Sequence, residues 1–292
     1  MDDPLVITSD ESAETGLRIG LNIDSDEAVG KWDVERNCSS EISLLPTGGF
    51  VRKQKKRHLD KTIYEAYATI FFGKLADAYT QALRHSSLAF FSPQTIRVEH
   101  DSEGEEQAIS ALYQLLCPGN AYNHMNSSRQ KGYAVGCDSV RSDQRAAYLA
   151  GGLGAVLKRE GVVHGDPQIR HFFFLPKGTS VTTIDGVEEF ISRPSYNGIG
   201  IIDVELARLE DSASTAVISD QKKFRERMLR RFKTVPEGTD YFLRGEKEVA
   251  ILPSNFSLRD LVQLETDEIF ARRFPNLAKS VDMKEMNVLR YD

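Results

Sequence analysis

Two aspartates, each beside a short apolar run, are the residues of this chain whose setting is best suited to chemistry. Asp166 ends the sequence Val-Val-His-Gly-Asp of residues 162–166, and Asp203 follows the sequence Gly-Ile-Gly-Ile-Ile of residues 198–202. In phosphoryl transfer, one carboxylate orients the attacking hydroxyl and another holds a metal ion on the phosphates. The pair therefore predicts a phosphoryl-transfer site.

The sequence also supplies the basic and acidic residues that such a site uses, in the order that it needs them. Lys53 ends a predicted strand, and Glu65 lies on the helix predicted after it. A lysine on a strand can contact the nucleotide phosphates, and a glutamate on the next helix can hold that lysine. Any lysine of the basic run 52–57 can make the phosphate contact. We favour Lys53 because residues 50–53 form the best strand.

Glu65 has two interpretations from its place on the helix. Apolar residues recur at i, i+3, i+4, i+7 and i+8 from Ile63, which gives one apolar stripe. Glu65 lies nearly opposite that stripe, on the side that Ala68, Thr69 and Phe72 share. Either this second face is also buried, against a nucleotide cleft, or Glu65 is an exposed surface acid.

Alternation and helical periodicity predict the elements that position these residues. Strands are predicted at residues 17–23, 41–45, 49–53, 95–98 and 108–116, and around Val162 and Phe172. Helices are predicted from about Asp60, from Ser142 to about Glu160, over 221–232 and over 257–270. We expect a polar loop at 119–141 and a hairpin insertion at 176–197.

Three glycines fall inside the helix predicted before Glu160. Gly151, Gly152 and Gly154 each cost the helix roughly 1 kcal/mol relative to alanine. Such a cost is reasonable where a second helix approaches very closely. The glycines therefore predict a tight helix crossing at this point.

With these residues and elements, the chain resembles the protein-kinase-like superfamily, in its small atypical branch. The His-Gly-Asp of residues 164–166 is similar to the catalytic loop of aminoglycoside and choline kinases, the RIO kinases and the small kinase of the KEOPS tRNA-modification complex. The Ile-Ile-Asp-Val-Glu of residues 201–205 is similar to the segment around their metal-binding Asp. Residues 57–66 and 111–119 are similar to the Lys–Glu region and the hinge strand of the KEOPS kinase. The resemblance covers roughly residues 45–210.

The resemblance implies an α+β, two-lobed protein-kinase-like fold. Residues 1–118 would form a β-rich N-terminal lobe and residues 119–292 a mainly helical C-terminal lobe. It also implies roles in binding ATP and Mg²⁺. Asp166 would orient or deprotonate the acceptor hydroxyl, and Asp203 would bind the Mg²⁺ that bridges the ATP phosphates.

The N-terminal roles follow from the same resemblance. Lys53 would contact the phosphates, and Glu65 would hold Lys53. The backbone near Leu115 and Cys117 would contact adenine, because these residues match the hinge strand.

Two departures from the family's pattern argue against catalytic activity. The catalytic-loop Asn, a second metal ligand in the family, is His171 here. Imidazole suits Mg²⁺ poorly, because hard cations prefer oxygen. His171 is thus either a candidate metal ligand or a structural histidine. No convincing Gly-rich loop precedes Lys53. Both departures favour a pseudokinase that binds a partner without chemistry, whereas the two retained aspartates oppose it.

The function predicted overall is ATP- and Mg²⁺-dependent phosphoryl transfer to a hydroxyl. A protein Ser/Thr acceptor, or ATPase activity within a complex, fits the chain length best. A small-molecule kinase is the alternative, but such enzymes usually carry a larger helical lobe. Only about 90 of the 292 residues follow Asp203.

The net charge limits which binding partners we expect. Because the formal net charge is −6, electrostatic attraction by the protein as a whole cannot drive binding of polyanions. The basic residues of 221–232 form a solvated helix face or contact an acidic partner protein or RNA phosphate.

We predict a cytoplasmic protein from two features of the sequence. The three cysteines lack metal-ligand spacing, and the N-terminus lacks a secretory apolar stretch. No apolar run approaches the roughly 18 residues of a membrane span, so we expect no membrane partner.

Overall fold

The computed structural model describes residues 30–31, 40–44, 50–55, 59–92, 95–101, 108–115, 138–174 and 198–280. The predicted strand at 17–23, the hairpin insertion at 176–197 and residues 119–137 of the predicted loop lie outside these ranges. The described residues combine helices with a largely antiparallel set of strands, which agrees with the α+β class. The division into lobes at residue 118 stays a prediction.

A five-stranded antiparallel sheet forms the N-terminal part, with strand order β1-β2-β3-β6-β5. Its strands are β1 (Gly30–Lys31), β2 (Ser40–Leu44), β3 (Phe50–Lys55), β5 (Thr95–Asp101) and β6 (Ala108–Leu115). The four longer strands confirm the predictions from alternation to within a few residues. The two-residue β1 was not predicted, because it is too short to show a period of two.

Two smaller sheets bring the two aspartate segments together. β4 (Phe90–Phe91), β8 (Phe172–Phe174) and β9 (Ile199–Ile201) form a sheet of order β4-β9-β8. β7 (Val162–Val163) pairs antiparallel with β10 (Arg208–Leu209). The chain before β8 therefore lies beside the chain after β9. Strand β4 precedes residue 118 yet pairs with β9, so the β4-β9-β8 sheet spans the predicted lobe boundary.

Helix α1 (Leu59–Ala82) is buried on more than one face. Every residue from 65 to 73 is buried, so the side of the helix that carries Glu65 is covered as well. Glu65 itself is 1% exposed, which excludes the surface-acid interpretation. Tyr67 packs edge-on against Phe270 and donates a 2.5 Å hydrogen bond to Asp267, both on helix α5 (Arg259–Arg273).

Helices α2 (Asp138–Arg159) and α4 (Gly238–Ala250) cross at the predicted glycines. A Cβ added to Gly151 would lie 1.9 Å from the carbonyl oxygen of Phe242. A Cβ on Gly245 of the facing helix would lie 1.9 Å from the carbonyl oxygen of Tyr148. The backbones touch at this crossing, which confirms the prediction of a tight helix contact.

The remaining helices are α3 (Thr215–Phe232), α5 (Arg259–Arg273) and α6 (Pro275–Ser280). Helix α3 starts earlier than predicted and α5 ends later, whereas α4 and α6 were not predicted. Helix α2 begins one turn before Ser142, so Ser142 is not its N-cap, and residues 138–141 of the predicted loop are helical. Helix α3 begins six residues before the basic segment, capped by the side chain of Ser214, which accepts a hydrogen bond from the N–H of Val217. The first turn of α2, Asp-Ser-Val-Arg, is mostly polar, whereas that of α3, Thr-Ala-Val-Ile, carries apolar residues that already fit the helical period.

Helix α5 begins two residues after the predicted Ser257 cap, and the Ser257 hydroxyl accepts a hydrogen bond from the N–H of Arg259 at 3.3 Å. The carboxylate of Glu160, at the end of α2, accepts hydrogen bonds from the N–H groups of Leu258 and Arg259 at 3.1 and 3.2 Å. The Ser257 hydroxyl donates to the same carboxylate at 2.7 Å. An acid from another helix therefore caps α5 and orients Ser257 as well.

Among the helices in the described ranges, none is long and apolar enough to span a bilayer.

Candidate functional site

The register of β8 against β9 places the two aspartate loops side by side. Phe172 pairs with Ile201, and the N–H of Ile202 donates to the carbonyl of His171 at 2.9 Å. The residue before β8 therefore lies next to the residues that follow β9. The sequence does not show this contact, because it depends on strand register.

His171 lies between Asp166 and Asp203. Its Nδ1 is 2.8 Å from the backbone carbonyl oxygen of Asp166, and its Nε2 is 3.3 Å from Oδ2 of Asp203. The His171 side chain is 7% exposed, whereas the side chains of Asp166 and Asp203 are 35% and 34% exposed. The ring is thus buried beneath two carboxylates that solvent, or a ligand, can reach.

Asp203 has a backbone conformation that suits a functional residue. Its φ of 61° and ψ of 47° are left-handed, which is uncommon for a residue with a side chain. Aspartate tolerates this region better than most residues do, but the conformation still costs of order 1 kcal/mol. Such backbone strain concentrates at functional sites and supports the choice of Asp203.

Gly165 allows the tight turn that precedes Asp166. Its φ is +85°, and an added Cβ would lie 2.7 Å from the carbonyl oxygen of Leu206. The turn between His164 and Asp166 therefore needs a residue without a side chain. The Asp166 carboxylate is then held by Gln168, whose Nε2 donates to Oδ2 at 2.9 Å.

His164 anchors the loop and is fully buried, at 1% exposure. Its Nε2 lies 3.2 Å from the carbonyl oxygen of Ile202, and its Nδ1 faces the N–H of Asp166 at 3.4 Å. The ring therefore donates at Nε2 and accepts at Nδ1, which is the neutral form. Burial, followed by the nearby His171, lowers the pKa of His164 and favours the same form. The two rings stack with centroids 5.7 Å apart.

Asp220 is a site residue that sequence reasoning missed. This carboxylate on α3 is 5% exposed and accepts hydrogen bonds from the N–H groups of His164 and Gly165, at 3.0 and 3.2 Å. A sequence signal for it exists. Asp220 shares the buried face of α3 with Val217 and Phe224, where an acid requires a partner.

The predicted N-terminal site residues are placed only in part. Lys53 pairs with Leu112, and Leu115 pairs with Phe50, in the β3–β6 ladder. The side chains of Lys53 and Leu115 lie outside what the structure describes, as does the whole of Cys117. Their roles, and the contact between Lys53 and Glu65, stay predictions.

Helix α1 is joined to the Asp203 segment through its first turns. The hydroxyl of Tyr64 donates to the backbone carbonyl of Ala207, four residues after Asp203. Glu65, the next residue on α1, is buried. The helix that carries the predicted lysine partner is therefore fixed relative to the candidate metal-binding segment.

The comparisons with known proteins do not assign a family. No protein-family model and no curated protein matches the chain. Solved structures that match include WaaP in complex with acyl carrier protein, at 12% identity and a TM-score of 0.44, over 85% of this chain and 91% of that one. A crystallised kinase domain matches at 11% identity and a TM-score of 0.34, over 91% of this chain and 79% of that one. Neither likeness is strong enough to assign the chain to a family.

The side chains at the site suit a metal ion whose coordination shell is completed by a bound nucleotide and water. Within the described ranges, no three or more His, Cys, Asp or Glu side chains are clustered to hold a metal ion by themselves. Ions that bridge nucleotide phosphates need only one or two protein carboxylates, because the phosphates and water complete the shell. Asp203 offers such a carboxylate beside the ring of His171.

The basic segment of α3 is mainly a solvated face. Lys222 and Lys223 are exposed, and Lys222 lies 4.0 Å from Glu226. Arg225 forms an ion pair with Glu246 of α4 at 2.9 Å. Part of the positive charge is therefore paired on the surface, and binding of an acidic partner or RNA stays a prediction.

Proposed function

We propose that this chain is a phosphotransferase of two-lobed, kinase-like fold that moves the γ-phosphoryl group of ATP to a hydroxyl. A divalent ion, Mg²⁺ by the resemblance, would assist it. The observation that carries the proposal is the meeting of Asp166 and Asp203 at the two ends of the His171 ring. The partial exposure of both carboxylates supports it, because each can reach a bound ligand.

Each aspartate has a distinct task in the proposed reaction. Asp166, held by Gln168, would accept a hydrogen bond from the acceptor hydroxyl and take its proton as the phosphoryl group arrives. Asp203 would hold the divalent ion, which neutralises charge on the phosphates when bound. His164, Gly165 and Asp220 would keep the loop that carries Asp166 in position.

The N-terminal lobe would bind the nucleotide. Lys53 would contact the phosphates and Glu65 would hold Lys53, while the backbone near Leu115 and Cys117 would contact adenine. The burial of Glu65 supports its part, because a buried carboxylate needs a partner of opposite charge or a hydrogen-bond donor.

The acceptor that we propose is a protein Ser/Thr hydroxyl, or water during ATPase activity within a complex. A small-molecule hydroxyl is the alternative acceptor. A cytoplasmic location and a protein or RNA partner belong to the same proposal.

A pseudokinase is the second candidate, and the position of His171 favours it. The ring lies where the resemblance places a metal-binding Asn, within 3.3 Å of the candidate metal ligand Asp203. If His171 displaces the metal, the chain would bind nucleotide or a partner without transferring phosphate.

Thermal unfolding with ATP, with and without Mg²⁺, tests the proposal. Ligand bound only to the folded state at a hundred times its Kd adds about 2.7 kcal/mol of stability. We expect ATP with Mg²⁺ to raise the melting temperature, and Asp203→Ala to remove most of the Mg²⁺-dependent part. Glu226→Ala, on the exposed face of α3, is the control. No rise with either ligand mixture would contradict both nucleotide-binding functions.

A further inference from the structure

We propose that His171 Nε2 and Asp203 Oδ2 are neighbouring ligands of a single divalent ion, and that the site prefers a first-row transition metal to Mg²⁺. The inference rests on the proposed function, because nucleotide phosphates and water must complete the coordination shell. It concerns which metal this site takes, and why.

The hydrogen-bond pattern of His171 is that of a metal ligand. Its Nδ1 faces the backbone carbonyl of Asp166 at 2.8 Å, and a carbonyl oxygen only accepts. The ring therefore carries a hydrogen on Nδ1, and Nε2 is the ring nitrogen directed toward Asp203. Histidines that bind metals almost always donate their other N–H to a carbonyl or carboxylate in this way.

The separation of the two proposed ligand atoms agrees with shared coordination. Nε2 of His171 and Oδ2 of Asp203 are 3.3 Å apart. Two adjacent ligands on an octahedral ion with bonds of about 2.1 Å are roughly 3.0 Å apart. A shift of a few tenths of an ångström would therefore let both atoms bind one ion.

The environment fixes this pair before any metal binds. The His171 ring is 7% exposed and stacks on His164, which is itself held through Ile202 and Asp220. Asp203 is held in a left-handed backbone conformation at the end of β9. A rigid pair of ligands lowers the ordering cost of binding the ion.

The chemistry of the two ligands determines the preference. Mg²⁺ is hard and selects oxygen, whereas imidazole suits the first-row transition metals. A nitrogen–oxygen pair therefore favours ions such as Mn²⁺, Fe²⁺ or Zn²⁺. Mg²⁺ remains able to use the Asp203 carboxylate without the imidazole.

Mn²⁺ is a direct probe of this arrangement, because it is paramagnetic and accepts both ligand types. Pulsed electron paramagnetic resonance of the full chain, with Mn²⁺ and a non-hydrolysable ATP analogue, should show ¹⁴N coupling from a coordinated imidazole. His171→Asn, which offers an oxygen in place of the ring nitrogen, should abolish that coupling. The variant should also weaken Mn²⁺ binding about tenfold or more, with Mg²⁺-supported nucleotide binding retained. His85→Asn, at an exposed histidine elsewhere in the chain, should keep the ¹⁴N coupling.

The outcomes separate the inference from the proposed function. Mn²⁺ that binds with nucleotide but shows no ¹⁴N coupling would overturn the inference and leave the proposed function standing. Coupling that persists in His171→Asn would also overturn it, because another nitrogen would then be the ligand. Failure of Mn²⁺ and Mg²⁺ alike to bind with nucleotide would overturn the proposed function and the inference together.

Discussion

The carboxylate of Asp220 accepts a hydrogen bond from the backbone N–H of His164 at 3.0 Å, across 56 residues of sequence. Its second oxygen accepts from Gly165 at 3.2 Å. A buried acid on α3 thus holds the start of the loop that ends at Asp166. The loop has no helix or strand of its own at this point, so its position depends on that acid.

Replacement of Asp220 should reduce both stability and the proposed activity. Asp220→Ala leaves the N–H groups of buried His164 and exposed Gly165 without this acceptor, and loss of the buried hydrogen bond should lower the free energy of unfolding by about 1–3 kcal/mol. Phosphate transfer should fall further than nucleotide affinity, because the loop of Asp166 loosens while the nucleotide contacts remain. Urea unfolding and ATP turnover measure the two effects. Glu226→Ala, an exposed acid on the same helix, should change neither. Equal behaviour of the two variants would show that Asp220 does not hold the loop.

The crossing of α2 and α4 should not tolerate a methyl group. Alanine in an exposed helix is favoured over glycine by about 1 kcal/mol. At Gly151 and Gly245 the sign should reverse, because the new Cβ would overlap a backbone carbonyl that cannot rotate away. We expect Gly151→Ala and Gly245→Ala each to destabilise the protein by about 1–3 kcal/mol. Gly154→Ala should cost less, since its Cβ would lie 2.7 Å from a side-chain ring, that of Phe224, rather than 1.9 Å from a backbone carbonyl oxygen. Stabilisation by either of the first two variants would contradict the observed helix contact.

Stability should fall as pH drops below the ordinary pKa of histidine, in part through His164. Burial and the adjacent His171 lower its pKa in the folded state, against the opposing carboxylates of Asp220 and Asp203. Below about 6.5 the unfolded chain then binds a proton that the folded chain does not, so the free energy of unfolding decreases with falling pH.

His164→Gln should reduce this dependence, because the glutamine amide can still donate to Ile202 but does not titrate. Urea unfolding at pH 7.5 and pH 5.5 measures the loss for each protein. His85→Gln, at an exposed histidine, should keep the wild-type dependence. An identical pH dependence in His164→Gln and wild type would rule out the buried ring as a contributor.

The sequence predicted the four longer strands of the main sheet and the tight glycine crossing, because period and composition report these directly, but it left open whether the face around Glu65 is buried. It placed Asp166 and Asp203 beside strands, but not beside each other. Their meeting at His171 depends on the antiparallel register of β8 and β9, which is a long-range property. Asp220 was missed for a local reason. The predicted helix begins at Gln221, one residue after Asp220, so the prediction does not place this acid on the buried face that it shares with Val217 and Phe224.

The rate of ATP turnover in the Asp166→Asn variant tests the proposed function most directly. Water can serve as the acceptor, so the measurement needs no knowledge of the natural substrate. The account predicts that wild type turns over ATP with a divalent ion. Asp166→Asn should lose at least about 100-fold in rate, the lower end for removal of a general base, while it binds nucleotide as wild type does. Turnover in Asp166→Asn equal to that of wild type would contradict the central role given to this carboxylate.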